Sequence, residues 1–548
     1  MKNLFTSLLL LSAAATSMAQ SAFFTPVAYR GAFAPAPAAM WTDGWCNWDP
    51  QNTDYGTPNV NVSANITSNT TWTANNVYLL QGQIYVQNNA TLTIEPGTII
   101  QGDINTAGSG LFITKGAKLI ANGTVSQPIV FTSNQPAGSR NLGDWGGVIL
   151  LGKGSSNSAG GIANIEGIAP TADTEFGGGA TPDDNDNSGS LQYVRIEFGG
   201  YVYAPNKEIN GLTFGAVGRG TTIDHVQVSF ANDDAFEWFG GAVNCSHLVA
   251  YRNLDDDFDT DFGYSGNVQF CLGVRDPEIS DNPTVSTSEG FESDNDAAGS
   301  ALTPLTAAIF SNVTVVGPLR GDVTTAGTVA TGYRRAVRIR RNSNLKIFNS
   351  IFMDHLKGVF IDGTACEANA TSGAISFKHN LLAGNTAGNV CEVTSGSTFD
   401  IHAWFAASMN DSSVATTGIL VTPYDYNAPD YRPAGSSPAL TGADFEDAVF
   451  AGLVLTAATN VGNFDQVVLY PNPANEIIHL NFAAKTATAV SVSVTDLSGR
   501  LVMNSTSTAV VAGKNTLSIN TAALQTGMYF ITLSDGTSQQ SFRVSVSK

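Results

Sequence analysis

Basic charge is scarce in this chain: 26 Lys and Arg stand against 46 Asp and Glu, giving a formal net charge of -20. Nucleic acid is therefore not an expected partner, because phosphates need Lys and Arg to replace their counterions. The same imbalance favours solubility and cation binding. No apolar run reaches the roughly 20 residues that cross a bilayer as a helix, so no transmembrane segment is expected. Cysteine is limited to five residues and histidine to six. There is no G-x-S-x-G, H-E-x-x-H or phosphate-binding glycine loop, which removes the common hydrolase, zinc-protease and nucleotide-site signatures. Amphipathic helix periodicity is also missing from about Trp72 to Phe445. What is abundant is apolar and turn-forming: 43% hydrophobic residues with 29 Phe argue against disorder, and 55 Gly point to a fold rich in turns.

Internal repetition decides the fold class. Leu191-Gln-Tyr-Val-Arg-Ile-Glu-Phe198, Ile223-Asp-His-Val-Gln-Val-Ser-Phe230 and Cys245-Ser-His-Leu-Val-Ala-Tyr-Arg252 share one pattern. Ser311-Asn312, Phe348-Asn349 and His379-Asn380 continue it, with Asn before each apolar run. Spacings of 22 residues (223 to 245) and 31 (349 to 380) fit coils of a solenoid with loops of unequal length. The expected fold is all-β: a right-handed parallel β-helix, then a small immunoglobulin-like sandwich. A β-propeller fits less well, because its blades need near-constant spacing. Asn65 to Ile84 is expected to cover the first coil, and Asp430-Tyr-Arg-Pro-Ala-Gly-Ser-Ser-Pro-Ala439 to close the last.

Both ends of the chain point to export. Lys2, the apolar run Leu8 to Leu11 and Ser17-Met18-Ala19 have the order of a signal peptide over residues 1–19. An N-terminal arm and cap (20–71), the β-helix (72–445) and a linker (446–466) are expected to follow. The last segment, 467–548, alternates apolar and polar residues at Val490 to Val494 and Tyr529 to Leu533, broken by Pro471, Pro473, Gly513 and Gly527, as in a small sandwich. It carries Leu469-Tyr-Pro-Asn-Pro-Ala474, then Asp496-Leu-Ser-Gly-Arg500, then Leu524-Gln-Thr-Gly-Met-Tyr-Phe530. In that order these motifs resemble the C-terminal sorting domain of the Bacteroidetes type IX secretion system. The resemblance implies a secreted or surface-attached protein and the secretion machinery as partner. Thr91-Leu-Thr-Ile-Glu-Pro-Gly-Thr-Ile-Ile100, Ala121 to Thr132 and Gly143-Asp-Trp-Gly-Gly-Val148 resemble Bacteroidetes surface β-helix proteins. That likeness implies a pectate-lyase-like fold and no particular activity.

The chemistry-bearing pattern is acidic. Asp234-Ala-Phe-Glu237, Asp256-Asp257-Phe-Asp259-Thr-Asp261 and Glu289-Gly-Phe-Glu292-Ser-Asp294 align on Phe236, Phe258 and Phe291. With the Phe inward, Glu237, Asp259 and Glu292 form one outward row, and Asp261 with Asp294 a second. Like charges about 5 Å apart repel by roughly 1 kcal/mol in water and by several at an effective dielectric near 20, so a cation is expected to offset them. Oxygen ligands in irregular geometry select calcium. Candidate ligands are Glu237, Asp257, Asp259, Asp261, Glu292 and Asp294. A separate loop, Asp184, Asp186 and Ser188, matches the first half of a calcium-binding loop, but Arg195 stands where its bidentate Glu belongs.

The remaining signals are weaker. Cys366 and Cys391 follow similar runs and are placed for a bridge. Aligning Asn244 with Asn267 sets Cys271 opposite Leu248, too far from Cys245 for a disulfide, and Cys46 is left over. Arg334, Arg335, Arg338, Arg340 and Arg341 read as a basic rim for the protein's own carboxylates or for an acidic sugar. Asp233 and Asp234 face opposite ways if they lie on a strand, and do not then flank one bond. His225 and His247, 22 residues apart, read as stacked turn residues. Trp41, Trp45, Trp48 and Tyr55 either stack on sugars or dock on the first coils. The expected function is adhesion or glycan binding by a calcium-stabilised surface protein, with surface or extracellular polysaccharide as ligand. The alternatives are a calcium-dependent polysaccharide lyase or related enzyme, and a structural coat protein. Intact-mass analysis of cell-bound material should find both residues 1–19 and the segment from about Val467 removed; protein confined to the cytoplasm would refute the export reading.

Overall fold

The computed structural model describes residues 23–204, 207–321, 329–385, 387–450, 463–470, 474–496, 500–504, 507–525, 527–536, 539–546 and 548. The signal peptide, most of the linker and parts of the YPNPA and D-x-x-G-R motifs lie outside them. The chain divides into a unit covering 23–445 and a second that takes in residues from Glu446 onward. In the second, an antiparallel sheet of Phe464–Tyr470, Ile477–Ala484 and Gly513–Asn520 accompanies another built on Thr488–Asp496, Gly527–Ser534 and Gln539–Val546. Alternate residues such as Ile478, Leu480, Val492, Val494, Ile531 and Leu533 share one core, the arrangement of a small sandwich.

In the first unit, short strands pair parallel, each with the strand one coil later, in a 17-stranded and a 10-stranded sheet. Pairing begins at Val60–Val62, in register with Tyr78–Leu80, and Thr70–Trp72 pairs with Leu92–Ile94. The segment expected to cover the first coil therefore belongs to the stack itself.

The larger sheet is bent along a line of left-handed residues. Tyr193, His225, His247, Phe270, Asn312, Asn349 and His379 all have φ between 51° and 60°. Asn and His tolerate that conformation, and aromatic residues do so less readily. Here ring stacking offsets the cost: Tyr193 on His225 at 4.5 Å, His225 on His247 at 4.2 Å, His247 on Phe270 at 5.3 Å. Ile351 pairs with Leu381, so this coil spans 30 residues. His379, not Asn380, takes the bend, and the expected spacing of 31 was one residue too long.

Inward positions form continuous apolar columns. One runs Leu191, Ile223, Cys245, Val268, Phe310, Ile347, Phe377. Another places Cys271 opposite Leu248 and Val313, as the alignment required. A third runs Phe236, Phe258, Phe291, Val337, Val359, Cys391. The bridge expected between Cys366 and Cys391 is absent: both are buried free thiols. Cys391 is the end rung of the Phe column, and Cys366 sits on the helix Thr364–Ser372. Burial pushes their thiols up, to about 11 for Cys366 and about 12 for Cys391, so they pack as small apolar groups.

Residues 23–58 run along the stack, first toward its closing end at Arg30 and Gly31 and then back, from Ala32 on, in the opposite sense to the coils. Thr25 N–H donates to Gln269 at 2.7 Å, Ala32 N–H to Thr314 at 2.9 Å, Asn47 N–H to Gln227 at 2.9 Å, and Gln101 Nε2 to Gly56 O at 3.1 Å. Trp45 is 1% exposed, and Trp48 meets Tyr251 and Tyr431. The arm's aromatics are thus docking residues, on middle coils as well as early ones. Its Arg30 N–H reaches Ala439 O at 2.8 Å, and Phe33 stacks on Tyr431 at 6.0 Å, so arm and closing segment lock together. Replacing Phe258 with Ala should cost about 3–5 kcal/mol, the usual range for emptying a buried Phe site, read as a fall in the urea midpoint. A loss below about 1 kcal/mol would contradict the stacked core.

Candidate functional site

The outward face of the 10-stranded sheet gathers the carboxylates. Register places Glu237 beside Asp259, Asp259 beside Glu292, and Glu292 beside Arg338. Asp261 lies beside Phe239, and Asp294 N–H donates to Thr260 O one coil earlier. Both expected rows are present. A third row, Asp234, Asp256 and Glu289, was not foreseen. Asp256 N–H donates to Asp234 Oδ1 at 2.8 Å and Glu289 N–H to Asp256 Oδ1 at 2.6 Å, so each carboxylate ties its coil to the next. Strand alternation would turn these residues inward with the Phe. They escape it because the strands begin only at Phe236 and Phe258, leaving Asp234 and Asp256 on the preceding bend. The same bend brings carboxylate oxygens of Asp233, Asp234 and Asp255 within 4.8 Å of one another, which removes the geometric objection to pairing Asp233 with Asp234.

Two further triads have oxygens within 4.8 Å: Asp234, Glu237 and Asp259, then Asp256, Glu289 and Glu292. All but Asp259 are buried; Glu289 is 0% exposed and Glu237 6%. Asp255 Oδ1, Asp259 Oδ1, Glu289 Oε2 and the neighbouring Asn210 Oδ1 are buried without a hydrogen-bond partner. Burial, reinforced by facing carboxylates, pushes Asp234, Glu237, Asp256 and Asp259 well above the usual carboxylate range. Asp255 rises to about 8 and Asp261 to about 7 for the same reasons.

The strand Arg335–Ile339 and the turn after it close the rows with fixed cations. Arg335 pairs with Glu289 at 3.2 Å and Glu392 at 2.5 Å, and Arg338 with Glu292 at 3.4 Å and Asp362 at 2.8 Å. Arg340 pairs with Glu292 and, at 2.8 Å, with Asp294, which Arg341 also meets at 2.8 Å. The arginines therefore serve the last acidic coil. Among the described residues, Asp233, Asp234, Glu237, Asp255, Asp256, Asp259 and Asp261 have no Lys or Arg within ion-pair distance.

The other candidates lie apart. Asp257 turns away from the groove and pairs with Arg275 at 2.7 Å, both side chains 0% exposed. Asp184 accepts Ser155 N–H at 2.8 Å and Asp186 accepts Lys153 N–H at 3.0 Å, fastening a neighbouring loop. Ser188 N–H donates to Thr221 and its hydroxyl is buried without a partner. No described cluster of three metal-capable side chains includes Asp184 or Asp186. Past the strand ends, Ser155, Asn157, Ser158, Pro182 and Pro304 border a cavity of about 360 Å³. Asn157 N–H there donates to Phe262 O, next to Asp261.

Residues 64–421 match the pectate-lyase like beta helix domain, and residues 468–547 match the secretion system C-terminal sorting domain. No curated protein matches the chain. Among solved structures, the chain is similar to the Dettilon tailspike protein at 10% identity, covering 87% of this chain and 85% of that one, with a TM-score of 0.25. The enzymatically active domain of Bacteriophage CBA120 tailspike protein 2 is similar at 12% identity over 86% and 71%, TM-score 0.25. The sorting domain marks the protein for export, to the cell surface or the medium, and no described helix is long and apolar enough to cross a membrane. Since the family match spans most of the solenoid whose register is laid out above, the chain belongs to the pectate-lyase-like β-helix family, joined to a type IX secretion sorting domain.

Proposed function

We propose that this exported β-helix is a calcium-stabilised adhesion or glycan-binding protein whose ligand face is the acidic groove. The observation that carries the reading is the unequal neutralisation of the three rows. Where they reach the last acidic coil, arginines meet them; one and two coils earlier, Asp234, Glu237 and Asp259 crowd within 4.8 Å with no such partner. At that spacing two carboxylates repel by about 3 kcal/mol at an effective dielectric of 20. A bound cation does for these coils what Arg338 does for Glu292. The donors are all oxygen and the geometry irregular, which suits calcium. A calcium ion with open coordination positions also gives sugar hydroxyls or uronate carboxylates a place to bind.

One observation favours a second reading, a glycan-cleaving enzyme. The Asp233, Asp234 and Asp255 oxygens lie within 4.8 Å of one another, close to the roughly 5–5.5 Å between the two carboxyl groups of retaining glycosidases. Burial and mutual repulsion hold Asp233 and Asp234 well above the usual range, as a general acid requires.

Chelation should lower the unfolding temperature by several degrees and calcium should restore it; a hundredfold excess over the dissociation constant is worth about 2.7 kcal/mol. The double variant Asp259→Asn, Asp261→Asn should lose most of that response and most calcium-dependent glycan binding. Identical melting of the wild type with and without chelator would remove calcium from the reading. A depolymerisation screen over acidic and neutral polysaccharides separates binder from enzyme. No new reducing ends or unsaturated products are expected; cleavage abolished by Asp234→Asn would establish the second reading instead.

A further inference from the structure

In the 17-stranded sheet, the aromatic column at the bend runs Tyr193, His225, His247, Phe270. The rungs at either end show that stacking alone is satisfied by Tyr or Phe. Histidine occupies the two middle rungs, and both share one acidic neighbour: in the registered row Gln192, Asp224, Ser246, Gln269, only Asp224 carries a charge. Both rings turn Nδ1 toward that carboxylate. His247 Nδ1 lies 2.7 Å from Oδ1 and His225 Nδ1 2.9 Å from Oδ2. The three donor atoms are all within 4.8 Å of one another.

We infer that Asp224, His225 and His247 form a second metal site, of two imidazole nitrogens and one carboxylate oxygen, for a divalent ion of the zinc, nickel and copper group. This donor set is the one such ions take, and it differs from the all-oxygen acidic groove, which suits calcium. The inference does not depend on the calcium reading.

Three further features support it. His225 Nδ1 is buried and, although 2.9 Å from the carboxylate, is without a hydrogen-bond partner, whereas His247 Nδ1 shares a hydrogen bond with Asp224 Oδ1 at 2.7 Å. The Ser246 hydroxyl donates to Asp224 Oδ1 at 2.7 Å, holding the carboxylate in place as outer partners of metal ligands do. Access is asymmetric: the Asp224 side chain keeps 27% exposure, while Trp41 and Trp45 of the arm close over the rings at 5.1 to 6.0 Å. Binding uses the Nδ1 lone pairs, so the ion displaces to solvent, or to Nε2, the proton that His247 Nδ1 shares with Asp224 Oδ1, and each neutral ring keeps its one proton on Nε2.

The test uses tag-free mature protein, stripped with chelator and then held in excess calcium to fill oxygen sites. Titration with nickel, zinc or copper chloride is followed by metal content and by quenching of tryptophan fluorescence, since Trp41 and Trp45 touch the rings. One equivalent of ion per chain is expected, with copper quenching that fluorescence. His247→Phe copies the rung at Phe270 and so preserves the stack. It should keep the metal-free unfolding temperature while lowering affinity at least about tenfold, the scale of losing a supporting or direct contact at a metal site. Asp224→Asn, which keeps shape and one acceptor, should do the same and decides the matter if the Phe variant misfolds. No saturable equivalent in the wild type, or equal uptake by wild type and both variants, would overturn the site.

Discussion

In-register parallel pairing of coil upon coil governs the rest of this molecule. Neighbouring strands lie about 4.8 Å apart, so whatever occupies one position is set against its counterpart above and below. Apolar residues gain from this, as the column from Phe236 to Cys391 shows. Polar residues gain when each donates to the next, as Ser350 N–H does to Asn380 Oδ1 and Asn380 N–H to Asn410 Oδ1. Ionised residues of one sign lose, because the register that aligns them also fixes them at repelling distance. The acidic rows are that case, and relief arrives only where the arginine-bearing strand Arg335–Ile339 enters the stack.

A solenoid whose coils touch only their neighbours is stabilised by the sum of local interfaces. The N-terminal arm adds a different kind of contact. Its hydrogen bonds reach from Gln101 through Gln227 and Gln269 to Ala439, so one extended segment ties early coils to the closing segment. Opening a middle coil then means peeling away Trp45 and Trp48 as well. Asn47 and Thr25 meet glutamines of the stack through their backbone groups, which explains why residues 23–58 need little regular structure of their own: the stack supplies partners for their amides.

How much of this could be read from sequence follows from which residues obey strand alternation. Aligning the three motifs on Phe236, Phe258 and Phe291 produced the correct register and two carboxylate rows, because those residues lie on strands with a period of two or, for Asp294, directly after one. The row Asp234, Asp256, Glu289 precedes the strands, where that period does not hold. Its place depends on side-chain to backbone hydrogen bonds between coils, which no local pattern displays. Asp257 was misplaced for a related reason: one residue before Phe258 it turns to Arg275, a partner 18 positions away on another face. The Cys366 and Cys391 resemblance was one of neighbouring apolar runs, and Cys391 proved to be an apolar rung. For the arm's aromatics the sequence left stacking on sugars and docking on the first coils both open, since nothing in residues 41–55 encodes which coil they meet.

The acidic groove is where local chemistry and global packing disagree. The columns from Leu191 to Phe377 and from Phe236 to Cys391 are self-consistent, apolar on apolar, and the bend sets ring on ring. A chain selected for stability alone would fill the outward positions at 237 and 259 with Thr or Val, as Thr213 already does one coil earlier in the same row. It would also avoid burying Glu289 with an oxygen that has no partner. Such departures from local consistency cost stability, and they concentrate at sites of function. The cost here is not spread over the row but falls between Thr213, where the row is neutral, and Arg338, where it is compensated. That bounded stretch of uncompensated charge has the length of two coils, those of Glu237 and Asp259.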